Sequence, residues 1–184
     1  MKGIVFQLLH QVVAKEYGEP LWDALLTEAE LDGSYTSLGI YDDSELGKIV
    51  GAASRRLGLP PGDIVRWFGR EAMPLLAGNY PKVFAPHSDA RSFVLTLNSV
   101  IHPEVRKMYP GADVPNFDFD TSSPDELVMN YRSKRRMCSF AEGLLHGAAA
   151  HFRQAALIAQ PKCMLRGDEC CELRIRFVPS DDSA

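Results

Sequence analysis

Apolar residues recur with a helical period through most of the first 110 residues of this 184-residue chain. Ile4, Leu8, Val12 and Lys15 fall near one another on that period, with Val5, Leu9 and Val13 beside them, and Gly18 stops the run. A second helix is predicted over "EPLWDALLTEAEL", opened by Pro20 in its first turn. A third, "YDDSELGKIVGAASRRLG", starts on acidic residues that suit a helix N-terminus and stops at Gly58. "PPGDIVRWFGREAMPLLAG" makes a fourth, in which Pro74 is expected to kink or end the helix. "HSDARSFVLTLNSVIHPEVRKMYPG" is the longest periodic segment and reads as one helix, with Phe93, Leu97, Val100 and Ile101 on its apolar side.

From Pro110 the pattern changes. "YPGADVP" is a turn-rich break, and "NFDFDTS" and "ELVMNYRS" read as strands separated by the turn Ser123-Pro124-Asp125. "CSFAEGLLHGAAAHFRQAAL" reads as a helix whose small residues Ala141, Gly143, Gly147 and Ala148 leave room for a close approach to its backbone. "KCMLRGDECCELRIRFV" reads as a hairpin across Arg166 to Glu169. The expected class is α+β: a helical N-terminal lobe over about 1–60, and a lobe of antiparallel strands plus helix completing a single domain, 1–184, over about 61–180. Only the tail "SDDSA" reads as disordered, and no internal repeat is present.

Composition narrows the function. With 46% hydrophobic residues the chain can bury a sizeable core. A formal charge of −4, from 20 Lys and Arg against 24 Asp and Glu, offers no global field for nucleic acid. No uncharged apolar run reaches the ~18 to 20 residues of a membrane span, and "MKGIVFQLLHQVV" continues into a charged helix with no small-residue cleavage site. A cytoplasmic, soluble protein is expected. The four cysteines, Cys138, Cys163, Cys170 and Cys171, lie in the last third and do not make a disulfide framework for the whole chain.

Candidate chemistry gathers at "NYRSKRRMC". Tyr131, Ser133 and Arg135 alternate, so on an extended strand two hydroxyls and a guanidinium share one face. Such a face is either the solvated side of an edge strand or a receptor for carboxylates or phosphates. His102, followed by Pro103, sits at the end of an apolar helix face, as a packed imidazole or as a ligand. An imidazole, an oxyanion-binding face and a helix of small residues together suit a flat, mostly apolar ligand carrying a metal and two carboxylates, and haem has that description.

These residues resemble the H-NOX family, haem nitric oxide/oxygen binding domains related to the haem domain of soluble guanylate cyclase. The matching segments are "MKGIVF", "HPEVRKMYPGA", the Tyr-x-Ser-x-Arg motif as "YRSKR", and "FAEGLLHGAA", in the same order and spacing over nearly the whole chain. The resemblance implies haem b held between the lobes, with His102 the proximal ligand and Tyr131, Ser133 and Arg135 the propionate clamp. It makes Pro115 the proline that bends the macrocycle, and Val5 and Leu144 packing residues against it. Family members that hold dioxygen resemble one another in a tyrosine on the helix after the motif; Phe140 stands here. Val5, Leu8 and Leu9 near the opposite wall are apolar too. His146, six positions beyond Phe140, should point elsewhere.

The resemblance thus implies a sensor of nitric oxide, with carbon monoxide a weaker ligand and dioxygen excluded, rather than an enzyme, since no distal acid or base is evident. It further implies signalling by release of His102 and relaxation of the bend, to a separate effector such as a histidine kinase or a cyclic-di-GMP enzyme. The cysteines carry an alternative, a redox- or zinc-responsive regulator on the same fold. Some family members resemble this chain in having three cysteines and a histidine on zinc; Gln160 stands in the place of that histidine. A zinc site would then need all four cysteines, yet Cys170 and Cys171, being adjacent, point to opposite faces of a regular strand. Packed thiols and an oxidation-sensitive pair are the other readings. His10, His87 and His151 have no partners at ligand spacing.

Overall fold

The computed structural model describes residues 1–180; of the tail read as disordered, residues 181–184 lie outside the described residues. Four long helices build the first half: α1 (Gly3–Tyr17), α2 (Glu19–Ala29), α3 (Asp43–Leu57) and α4 (Pro61–Asn79). Their ends follow local chemistry. Asp42 accepts a hydrogen bond from the Ser44 N–H at the start of α3, and Gly58 closes that helix in the left-handed region at φ 65°. Pro60 and Pro61 open α4. Pro74 does not end it, and α4 runs on to Asn79.

The segment expected to be the longest helix is broken instead. After the short α5 (Pro81–Phe84), α6 (Ala90–Leu95) gives way to a π-helical turn at Leu97–Ile101, and α7 (His102–Met108) follows. Pro103 explains the break: it has no N–H to donate back to Ser99, and its ring crowds that carbonyl, so the turn before it widens. Widening rotates Val100 away from the apolar side, leaving it 48% exposed.

The second half holds β1 (Asn116–Asp120), β2 (Leu127–Arg132), α8 (Cys138–His151), β3 (Gln154–Lys162) and β4 (Cys171–Pro179). The sheet is antiparallel throughout in the order β1-β2-β4-β3. Residues 154–157 had read as the end of a helix. In fact α8 stops at His151, Arg153 turns the chain at φ 55°, and Gln154 begins a strand whose exposure alternates. Alanine hid the change of period, because it suits a helix without belonging only there.

Two apolar clusters result. One joins α1, α2, α3 and the first half of α4, from Met1 to Ala72; the other runs from Met73 through α8 and the sheet to Ile175. Helix α4 belongs to both. It crosses α8 at very short range through Gly69, Gly143 and Gly147: a Cβ on Gly143 would lie 2.0 Å from the Arg66 carbonyl oxygen. The small residues of α8 thus admit a helix, α4, to its backbone.

Candidate functional site

Between the two clusters lies a cavity of about 360 Å³. Its walls are apolar: Val5 and Leu8 from α1, Met73 from α4, Phe140 and Leu144 from α8, and Phe117 from β1. His102, Pro115, Tyr131, Ser133 and Arg135 line it as well, so the eight residues expected around a cofactor share one space. Leu9 does not join them; it lines a smaller cavity inside the helical cluster with Val13 and Trp67. His146 also stays outside, 3.9 Å from Glu142.

His102 is the first residue of α7, placed by the π-turn, and its ring stacks on Phe117 with centroids 5.5 Å apart. The Asn98 side chain ties that turn to β1 by donating to the Phe117 carbonyl at 2.5 Å. Burial, with a smaller push from Arg106, lowers the His102 pKa from 6.5 to about 4. The imidazole is therefore neutral at ordinary pH and has a lone pair to give a metal. Tyr80 and Tyr109, which also line the cavity, share a hydrogen bond of 2.5 Å, and burial, then that bond, pushes Tyr109 up to about 12.

The oxyanion receptor is built differently from the expected strand face. β2 ends at Arg132, and residues 133–136 form a turn closed by the Arg136 N–H on the Ser133 carbonyl, with Arg136 at φ 52°. Only Tyr131 is on the strand. The turn nevertheless brings Ser133 and Arg135 to the same cavity. Ser133 Oγ accepts from the Arg135 N–H at 3.2 Å, and Tyr131 Oη accepts from the Met137 N–H at 3.0 Å.

Partners of Arg135 were not legible in the sequence. Its Nε donates to Asp43 at 2.9 Å, and its Nη1 donates to the Asp113 carbonyl at 2.5 Å with the Asp113 carboxylate at 3.3 Å. Asp43 also holds the Met1 ammonium at 2.7 Å. Asp43 reads in sequence as one more acid at a helix N-terminus, so nothing there pointed to the cavity rim.

Three of the four cysteines converge: Cys138 Sγ lies 3.7 Å and Cys171 Sγ 3.9 Å from Cys163 Sγ. Cys170 is not with them; it turns to Asn130 Oδ1 at 3.7 Å, since neighbouring strand positions face opposite ways. The four-thiol set is thus not assembled. Burial opposes ionisation of Cys163, but the Leu165 N–H, the two neighbouring thiols and Arg166 bring its pKa below the ordinary thiol value. Burial pushes Cys171 up to about 12. The side-chain nitrogen of Gln160, which stands in a β-bulge of β3, is buried without a hydrogen-bond partner among the described residues.

A family model described as Haem-NO-binding matches residues 2–160. The chain belongs to the H-NOX family. An H-NOX protein from S. oneidensis, in its Fe(II)NO ligation state, is 36% identical, with 96% of this chain and 99% of that chain covered and a TM-score of 0.90. The Fe(II)CO form of the S. oneidensis domain gives 36% identity, 98% and 100% coverage and a TM-score of 0.87. An unliganded Fe(II) H-NOX protein from K. algicida is 28% identical, with 100% and 99% covered and a TM-score of 0.84. The α+β architecture of this H-NOX chain is the one these structures share. Among its described residues no helix is long and apolar enough to cross a membrane.

Proposed function

We propose that the cavity holds haem b and that the protein is a cytoplasmic sensor of nitric oxide, not an enzyme. The observation that carries this is the convergence on one apolar space of a neutral imidazole and the Tyr131, Ser133 and Arg135 donors. The donor set fits the group: one nitrogen for iron, and hydroxyls with a guanidinium fork for two carboxylates. Haem bound there would supply a ferrous iron able to take a diatomic gas.

Each residue then has a task. His102 would hold the iron, and Pro115 would pack against the bound group. Tyr131, Ser133 and Arg135 grip the acidic arms, Arg135 exchanging or sharing its carboxylate partners Asp43 and Asp113. Val5, Leu8, Phe140 and Leu144 offer no donor to a partly anionic dioxygen, which favours nitric oxide, and secondarily carbon monoxide, over dioxygen. The residues that would answer to the gas are His102, which would be released, Pro115, whose pressure would ease, and Asp43, through which the helical lobe is tied to Arg135 and would shift relative to the other lobe. The output goes to a separate effector, a histidine kinase or a cyclic-di-GMP enzyme. The test is the optical spectrum of the reduced protein under nitric oxide, carbon monoxide and air. We expect loss of the His102 bond under nitric oxide and no change on admitting air; iron that keeps His102 under nitric oxide, or a stable dioxygen complex, refutes the reading.

The thiol cluster supports a second reading, regulation by oxidation or zinc at Cys138, Cys163 and Cys171. Zinc content of purified protein, and whether thiol blocking rather than haem removal abolishes output, separate the two.

A further inference from the structure

The sheet has two edges, and they are guarded differently. β1 is short, and its exposed Asp118 and Asp120 put charge on the edge. β3 is nine residues long and carries no charged residue from Gln154 to Pro161. Its outward side chains, Ala155, Leu157 and Ala159, are exposed, Leu157 by 53%. Among the described residues none outside β4 hydrogen-bonds to the backbone of residues 155–159; Arg166 caps only the Gln160 and Pro161 carbonyls. A long, uncharged edge whose pairing with β4 is regular from Gln154 to Ala159, ahead of the bulge, is a template for another strand.

The surroundings state what kind of strand. Arg176 lies across β4 from Leu157 and Arg174 from Ala159, both exposed. Arg153 precedes β3 and Lys162 ends it. Glu172 is already shared between Lys162 and Arg174, whereas Arg153 and Arg176 have no ion pair among the described residues. This is a positive island on a chain of net charge −4. A second copy suits it poorly, because antiparallel pairing about the strand centre would set Arg153 of one copy beside Lys162 of the other. We propose that the free edge of β3 accepts an extended acidic segment of a partner protein as a fifth strand, its main chain pairing with residues 155–159 and its carboxylates reaching Arg176 and Arg153. Leu157 stands directly between Arg176 and the edge, and the small Ala155 and Ala159 on either side of it leave diagonal approaches to Arg176 open. The inference does not depend on what the cavity holds.

The test is a titration of the isotope-labelled intact protein with a synthetic peptide alternating valine and glutamate, followed by backbone NMR and hydrogen exchange. We expect shifts and new amide protection centred on residues 155–159, with binding about tenfold weaker for Arg176→Glu and for a valine/lysine peptide. Leu157→Glu, an exposed substitution that leaves the core untouched, should also weaken it. Absence of binding, perturbation centred elsewhere, or equal binding of the lysine peptide overturns the proposal. So does protection of these amides by self-association in the free protein.

Discussion

Burial does chemical work at His102. Held near 4, its pKa keeps the ring unprotonated across the physiological range, which is what a metal ligand requires. The same shift couples to stability with a definite sign. The unfolded chain takes up this proton at about 6.5 and the folded chain only at about 4, so the stability involved is fully present above the upper value and falls away as pH drops through that window. In haem-free protein we expect the ring to stay neutral by NMR until about pH 4, and a decline of the thermal midpoint between those values that His102→Gly lacks. Arg135 makes a second residue-scale prediction. Arg135→Ala removes the guanidinium from the rim and should speed haem transfer to an acceptor protein by about tenfold or more, with the iron still bound by His102.

Helices α4 and α8 meet at glycines, and the geometry leaves no slack. Gly143→Ala would force its new methyl into the Arg66 carbonyl, and neither backbone can yield without moving a helix. We expect a loss of about 1–3 kcal/mol or more, measured by urea unfolding, whereas Gly47→Ala, with open space around it, should not destabilise. The positions of these helices were readable from periodicity and caps. What periodicity could not show was the π-turn ahead of His102, because widening one turn leaves the same apolar residues in the same order. Nor could it show that Gln154 begins a strand, since alanine is at home in both periods. Tyr131, Ser133 and Arg135 were legible as a group through their spacing, although a turn rather than a strand delivers two of them.

At the scale of the molecule, the lobes are linked by charge as well as by packing. Asp43 of the helical half stands between the Met1 ammonium and Arg135. Being about half exposed, it should contribute little to stability: Asp43→Asn is expected to cost less than about 1 kcal/mol, and less still in high salt, by thermal unfolding. A large loss would mean that the bridge is structural. Such a contact between distant parts of the chain has no signature in a single sequence, for each partner looks like an ordinary surface charge.

Helix α4 has its first half in one core and its second half in the other, with the change falling between Ala72 and Met73. Pro74, one residue past that change, has no N–H to give the Arg70 carbonyl, so the helix lacks a rung at the junction while the turns from Pro61 up to it remain helical and cannot absorb motion as a loop does. A disturbance arising beside Met73 is delivered along the shaft, so that a small tilt at the pivot becomes a larger sweep at Pro61, on the far surface.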